Sequence, residues 1–215
     1  MRLGMVINLA KCVGCYSCVI SCKQEYCLPP GMMWGRLLIS ETGVYPKVTK
    51  HMYPVLCNHC KKPLCVDVCP ADATQQREDG IVWVEQDKCV GCRYCLVVCP
   101  YQVRSYYSKK GEYFVGQGLT EFEKLGRSLH PLQTGVVHKC DFCRERIDEG
   151  IKHGMTPGVD PQATPVCVIN CPAKARYFGD LDDPYSEISS LISERRAVQF
   201  HPEFDTDPSV YYVIG

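Results

Sequence analysis

Four short segments along the chain have the pattern of strands. "MVINL" (5–9) comes directly before the first cysteine motif, and "ARYFGD" (175–180) follows the last one. Between them lie "ATQQRE" (73–78) and "IVWVEQ" (81–86), separated by Asp79-Gly80, a dipeptide typical of tight hairpin turns. We therefore predict strands in all four segments, the two central ones joined as a β-hairpin.

Helical periodicity is clearest near the C-terminal end of the chain. Asp183 and Pro184 have the character of an N-cap and a first helical residue. The apolar residues that follow share one helical face, down to Arg195–Arg196, which marks the predicted end. These apolar residues are Ile188, Leu191 and Ile192.

Three other segments carry little regular pattern. Residues 100–139 and 144–166 are rich in glycine and proline, so we predict long loops there. Loops of this length are usually functional, and docking onto a larger subunit competes with a plain surface insertion. The tail, 196–215, has no packed pattern of its own and is expected to contact a partner.

Amino-acid composition and charge narrow the range of possible functions. The 215 residues include 17 cysteines, with 24 acidic and 24 basic side chains. This neutral balance does not favour a nucleic-acid partner. No signal peptide is recognised, and no apolar run approaches the roughly 20 residues of a membrane span. So many cysteines indicate a disulfide framework or a metal-binding protein, whose bound groups would complete an otherwise thin core.

The cysteines follow an internal repeat. "KCVGCYSCVISC" (11–22) aligns without gaps with "KCVGCRYCLVVC" (88–99), and "PLCVDVCPADA" (63–73) aligns with "PVCVINCPAKA" (165–175). The chain therefore contains four modules of four cysteines, and only Cys27 is left over. In chain order the modules are Cys12, Cys15, Cys18 and Cys22; Cys57, Cys60, Cys65 and Cys69; Cys89, Cys92, Cys95 and Cys99; and Cys140, Cys143, Cys167 and Cys171.

The spacing within the modules indicates which group they bind. Cysteines two residues apart on a tight loop are poorly placed to form disulfides with each other. Separated Cys-x-x-Cys pairs, as in the second and fourth modules, would also suit structural zinc. The first and third modules have the C-x₂-C-x₂-C-x₃-C spacing of bacterial [4Fe–4S] ferredoxins, completed in the third by Cys99-Pro100. A shared C-x₃-C-P ending ties the other two modules to the same chemistry, so iron–sulfur is predicted and a zinc-stabilised structural module is the alternative.

The order of the modules predicts how they pair. The second and third are adjacent over 57–99 and enclose the predicted hairpin, which makes one ferredoxin-like unit. The first and fourth remain, so 1–56 and 100–195 must form an outer unit around it. The predicted fold is α+β, with two interleaved ferredoxin-like units of two [4Fe–4S] clusters each, plus long loop insertions.

In two-cluster ferredoxins the fourth cysteine of each run crosses to the other cluster. His59 lies inside the second module, where it either packs the loop or tunes a cluster through a hydrogen bond. No catalytic residue, dinucleotide loop or P-loop is recognised. The crossing gives four predicted ligand sets: set 1, Cys12, Cys15, Cys18 and Cys171; set 2, Cys57, Cys60, Cys65 and Cys99; set 3, Cys89, Cys92, Cys95 and Cys69; set 4, Cys140, Cys143, Cys167 and Cys22.

These motifs resemble the four-cluster iron–sulfur subunits of the dimethyl sulfoxide reductase superfamily of molybdenum enzymes. The match covers about 1–195, and no ligand position is missing, so the resemblance implies four [4Fe–4S] clusters. It also implies a non-catalytic subunit that relays single electrons between a molybdopterin (bis-MGD) catalytic subunit and a quinone-linked or soluble redox partner. The matching stretches are "MVINLAKCVGCYSCVISCK", "PVLCNHCKKPLCVDVCPADAT", "DGIVWVEQDKCVGCRYCLVVCPY", "HKCDFC" and "CPAKARYFGDLDDP".

The resemblance does not decide the second partner of the subunit or its cellular compartment. A membrane-anchor subunit that reacts with quinone, or another redox protein, is implied as the second partner. The compartment is the cytoplasm, or the periplasm if the subunit is exported with a partner that carries a twin-arginine signal. A free-standing polyferredoxin is the alternative within electron transfer, and co-purification of a catalytic subunit separates the two.

Iron analysis tests whether Cys27 stands outside the ligand sets. A fully loaded chain should hold about 16 iron atoms, roughly four for each cluster. A Cys27→Ala variant, assembled anaerobically, should match the wild-type protein in iron and acid-labile sulfide. A loss of about four iron atoms would make Cys27 a ligand.

Overall fold

Short strands and helices alternate through the residues that the computed structural model describes, 1–195 and 197–214. Arg196 and Gly215, which fall in the predicted tail, lie outside the described residues. No helix in the described part is long and apolar enough to cross a membrane. The elements are β1 (Leu3–Asn8), α1 (Ser17–Glu25), β2 (Arg36–Val44), β3 (Lys47–Val55), α2 (Leu64–Asp67), β4 (Thr74–Gln76), β5 (Val82–Val84), α3 (Tyr94–Val97), β6 (Ser105–Tyr107), α4 (Glu121–Leu129), β7 (Val136–His138), α5 (Arg144–Lys152), α6 (Val166–Ile169), β8 (Arg176–Asp180), α7 (Glu187–Arg195) and β9 (Val210–Val213).

Strand β1 is the centre of a three-stranded sheet, antiparallel to β8 and parallel to β9. All of its residues are buried because both faces of the sheet are covered. Met5 and Ile7 belong to the main core, while Val6 packs with Ile188 and Val213 against α7. This alternation follows from the two-residue period of a strand. The strands predicted at 5–9 and 175–180 are confirmed, and they pair with each other.

The predicted hairpin is also confirmed. Strands β4 and β5 are antiparallel, with Gln76 opposite Val82. Gly80 turns the chain with a φ of +83°, a left-handed conformation that favours glycine. The backbone N–H of Arg77 closes the turn by donating to the carbonyl of Ile81 at 2.9 Å. The first and fourth modules thus share one sheet, while the second and third modules enclose another.

The predicted start of the C-terminal helix is wrong by a few residues. Helix α7 begins at Glu187, and the hydroxyl of Ser186 accepts the N–H of Ser189 at 3.2 Å, which is the bond of an N-cap. Asp183 instead accepts the N–H of Tyr185 at 2.9 Å, so its carboxylate stabilises the preceding turn. The predicted apolar face is confirmed, since Ile188 is fully buried against the sheet.

The tail packs on its own chain, contrary to the expectation that it has no packed pattern, and its contact with a partner stays a prediction. Strand β9 adds to the edge of β1, and Val210 is fully buried. The ring of Tyr212 stacks on Phe200 with centroids 3.6 Å apart, and its hydroxyl donates to the carbonyl of Pro54 at 3.0 Å. The run "VYYV" is β-branched and aromatic, which suits the third strand of a buried sheet.

The two predicted long loops are wrong in large part. Segment 100–139 contains β6, α4 and β7, and segment 144–166 contains α5. Helix α4 starts in a capping box, in which Glu123 N–H donates to Thr120 Oγ1 at 3.2 Å and Thr120 N–H donates to Glu123 Oε2 at 2.9 Å. This Thr-x-x-Glu signature is visible in the sequence, but the loop was predicted from the glycine and proline content of the segment.

Sequence analysis also missed a long hairpin. Strands β2 and β3 pair along nine residues each, and most of their side chains are exposed. The signal was the turn-forming "TGVYP" between two runs with β-branched residues. At the base of the hairpin, Met52 lies beside the loop of the first cysteine module.

Unfolding of the loaded protein tests the role of the tail. Tyr212→Ala removes a fully buried ring and its hydrogen bond, so we expect a loss of about 3–5 kcal/mol and a Tm lower by roughly 10 °C. Tyr185→Ala is the matched control, since that ring is 93% exposed. Equal Tm values for the two variants would show that β9 does not stabilise the fold.

Candidate metal centre

The cysteine loops of the first and third modules have the same backbone shape. Gly14 and Gly91, between the first two cysteines of each, have φ values of +68° and +69°. A Cβ on Gly14 would collide with the sulfur of Met52, and one on Gly91 would collide with the carbonyl oxygen of Gly135. Both positions therefore favour glycine by conformation, and Gly91 also by space, because its obstacle is backbone rather than a flexible side chain.

Two of the predicted ligand sets line cavities of their own. Cys171, from the fourth module, reaches the cavity lined by the first three cysteines of the first module. Cys99, from the third module, reaches the cavity lined by the first three cysteines of the second. The thiols line a space rather than converge on a point: in the described residues, no three His, Cys, Asp or Glu side chains are arranged to hold a single metal ion.

Of the other two sets, set 4 is brought together in full and set 3 only in part. In set 4, burial raises the pKa of Cys22 well above its ordinary value, and the thiols of Cys140, Cys143 and Cys167 raise it further. All four of these side chains are buried.

In set 3, burial raises the pKa of Cys95, and Cys89 adds to the increase. Cys92 is exposed, and Cys69 accepts the N–H of Thr74 at 3.4 Å. The described contacts therefore unite two members of set 3 and leave the positions of Cys69 and Cys92 relative to them as predictions.

Burial favours the protonated form of these thiols when no metal is bound. It raises the pKa of Cys60 to about 12, with the neighbouring Cys57 adding to the increase. A thiol in such surroundings stays protonated at neutral pH unless a metal displaces the proton. Cys27 is half-buried and donates to the carbonyl of Gln24 at 3.5 Å, outside these sets.

Three buried cations lie among the thiols. Arg104, Arg176 and Lys139 are 8%, 7% and 4% exposed, and none forms an ion pair with a carboxylate of the described residues. Arg176 Nη1 donates to Cys167 Sγ at 3.4 Å, while Lys139 donates to the carbonyls of Val82 and Cys140. Uncompensated buried cations are strongly unfavourable. An iron–sulfur centre held by thiolates is anionic, so these residues fit it.

Comparison with known proteins identifies the family. Residues 48–131 match the family model of the 4Fe-4S dicluster domain. A selenate reductase subunit of Mesobacillus selenatarsenatis is 37% identical, over 97% of this chain and 70% of its own length. A tetrathionate reductase subunit of Salmonella typhimurium is also 37% identical, over 99% and 72%. The iron–sulfur subunit of the arsenate respiratory reductase of a Shewanella species is 34% identical, over 99% and 96%.

The chain belongs to the iron–sulfur subunits of the dimethyl sulfoxide reductase superfamily of molybdenum oxidoreductases. It is a non-catalytic electron-transfer subunit that binds [4Fe–4S] clusters. The predicted family and function are confirmed. The similarity extends over nearly the whole chain, including the segments between the modules, which favours a dedicated subunit over a free-standing polyferredoxin.

His59 supplies this iron–sulfur subunit with a buried hydrogen-bond donor. Its side chain is fully buried, and Nδ1 accepts the N–H of Val82 at 3.0 Å, which places the ring proton on Nε2. Nε2 has no partner among the described residues. Burial lowers the pKa of His59 well below its usual value, so the ring is neutral. It also stacks on Phe142, with centroids 3.7 Å apart, so packing and hydrogen bonding to a bound cluster are both compatible with its position.

Sequence analysis missed the buried cations of the subunit. Arg104 lies the same number of residues after Cys99 as Arg176 lies after Cys171, and both cysteines are the last of their modules. This shared position after the last cysteine was the available signal. Charge alone gave no reason to single these residues out, since most arginines are exposed.

Double variants test the crossing of ligands between modules. If Cys22 and Cys143 bind the same cluster, Cys22→Ala and Cys143→Ala should each lose about four iron atoms, and the double variant should lose no more. If Cys22 and Cys15 bind different clusters, the corresponding double variant should lose about eight. Anaerobic iron analysis measures both, and the reverse pattern would place Cys22 with its own module.

Proposed function

We propose that this subunit holds four [4Fe–4S] clusters, one in each ligand set, within two interleaved ferredoxin-like units. The inner unit comprises 57–99, and the outer unit comprises 1–56 and 100–195. The sixteen cysteines of the four sets are the proposed iron ligands. Support comes from the cavities lined by sets 1 and 2, the buried group of set 4 and the cations that accompany them.

The observation that carries an electron relay is the closeness of thiols from different sets. Burial raises the pKa of several thiols, and in three cases a thiol of another set raises it further. The three pairs are Cys167 with Cys18, Cys140 with Cys57, and Cys95 with Cys65. These pairs support the proposed order 1, 4, 2, 3 of the sets, in which an electron would pass between neighbouring clusters.

The ends of this series differ from its middle in exposure. Cys15 in set 1 and Cys92 in set 3 are exposed, whereas all of set 4 is buried. Exposed apolar residues flank both ends: Val13 beside the first, Val90 and Val97 beside the second. Such residues suit contact with another protein. We assign the catalytic subunit to one end and the second redox partner to the other.

The [4Fe–4S] clusters supply one-electron transfer when bound. The chain itself contributes position and environment. Its loops hold thiols of neighbouring sets close together, its core buries all of set 4, and its buried cations offset the negative charge of the bound clusters. Little reorganisation is then needed when charge moves between sets, since the surrounding groups are already fixed by packing.

The partners and the compartment follow from the relatives as proposals. The selenate and tetrathionate relatives are each named as a subunit of a reductase. By analogy, the partners here are a large bis-MGD catalytic subunit and either a membrane-anchor subunit that reacts with quinone or a soluble redox protein. The subunit acts in the cytoplasm, or in the periplasm if it is exported with a twin-arginine partner.

The relay function predicts that the isolated subunit exchanges electrons but catalyses no substrate reaction. Loaded protein should be reduced by dithionite and reoxidised by a redox dye of higher potential than the clusters. It should show no turnover of selenate, arsenate or tetrathionate when free of molybdenum, because the sixteen cysteines of the ligand sets are all committed to clusters and leave no iron with an open site. Electron exchange is measured by the visible absorbance of the clusters.

Two outcomes would contradict this function. One is steady reduction of any of these oxyanions by the subunit alone. The other is a colourless zinc protein after anaerobic reconstitution with iron and sulfide. Purification from the native host distinguishes the remaining alternative, since a polyferredoxin would not bring a molybdenum-containing subunit with it.

A further inference from the structure

Arg176 lies between the two ligand sets of the outer unit. Its side chain lines the cavity of set 1. At the same time Nη1 donates to Cys167 Sγ of set 4 at 3.4 Å and lies 3.4 Å from Met5 Sδ. The side chain is almost fully buried, so this one guanidinium faces thiols of both sets in the interior of the protein.

Arg104 has the equivalent place in the inner unit. Its side chain lines the cavity of set 2. Nη1 donates to Thr74 Oγ1 at 3.4 Å, and the backbone N–H of Thr74 donates to Cys69 Sγ of set 3 at 3.4 Å. Nη2 is buried and has no partner among the described residues. A buried guanidinium nitrogen without an acceptor indicates that an anionic group belongs beside it.

The charge of neither arginine is cancelled by the protein. No carboxylate of the described residues forms an ion pair with either side chain. Lys139, the third buried side chain with a positive charge, donates to the carbonyls of Val82 and Cys140 and supplies no negative charge. Both positive charges are therefore available to the bound clusters alone.

We propose that Arg104 and Arg176 are redox-tuning residues, each raising the reduction potentials of the two clusters of its own unit. The inference rests on the proposed function. Each reduction adds one electron from an external donor such as dithionite, and no bond forms or breaks. A fixed cation in a dry interior stabilises the added negative charge, because Coulomb interactions are strong where the dielectric response is weak. Cluster charge and hydrogen bonds to sulfur are among the factors that set such potentials.

Redox titrations followed by electron paramagnetic resonance test this assignment. Arg176→Met and Arg104→Met remove the charge and the donor while keeping similar bulk. We expect each substitution to lower two of the four reduction potentials by about 59 mV or more. For a one-electron couple this is about a tenfold change in the equilibrium constant of reduction. The two pairs of affected potentials should not overlap. Arg176→Lys and Arg104→Lys, which keep the charge, should restore the potentials in part.

Arg127→Met is the matched control, because this arginine is exposed and donates to the carbonyl of Gly111. It should leave all four potentials unchanged. Iron analysis of every variant establishes that its clusters are present. If a methionine variant loses clusters, Arg176→Gln and Arg104→Gln take its place, with the same downward shifts expected.

The tuning role is overturned if the loaded variants keep wild-type potentials, or if one substitution moves all four potentials alike. It is also overturned if the glutamine variants lose clusters too, because the arginines would then serve assembly alone. Wild-type protein that binds no iron–sulfur cluster would instead refute the proposed function. Wild-type protein with four titrating clusters and unmoved variants would refute the tuning role only.

Discussion

The burial of anionic sulfur beside fixed cations is the constraint on which the rest of this structure depends. Cysteine thiols from all four modules lie in or against the main core, together with residues such as Phe142 and Phe178. Bound iron makes thiols anionic, and buried anions need compensation. Arg104, Arg176 and Lys139 provide it. The thiols and the cations of the core therefore compensate each other's charge only when the clusters are bound. Metal binding and folding are coupled for this reason.

This constraint explains the arrangement of the regular elements. The strands that carry the first and fourth modules pair in one sheet, which brings cysteines far apart in sequence to a common side. Helix α7 covers the other face of that sheet through Ile188, and β9 closes its edge. These additions allow both faces of β1 to be buried. The same pairing principle, repeated in the β4–β5 hairpin, organises the inner modules with much less chain.

Local features could be predicted from the sequence, and long-range ones mostly could not. Cysteine spacing, the turn at Gly80 and the apolar face of α7 depend on neighbours within a few residues, and they were predicted. The pairing of β9 with β1 depends on contacts such as Tyr212 on Phe200 and Tyr212 with Pro54, which no local pattern reports. The capped helix α4 is different, because its Thr-x-x-Glu signal was present and composition was given too much weight.

The repeat is not electrically symmetric, and this distinguishes the two proposed ferredoxin-like units. The offset that carries Arg104 and Arg176 in the third and fourth modules carries Thr74 in the second and Cys27 in the first. In the inner unit the two equivalent side chains meet, since Arg104 donates to Thr74. In the outer unit Cys27 turns to the carbonyl of Gln24, and Arg176 faces the sulfur of Met5 instead. Identical clusters placed in these two environments would therefore experience different fields. We therefore expect clusters in these two environments to differ in reduction potential without any change in the ligands themselves.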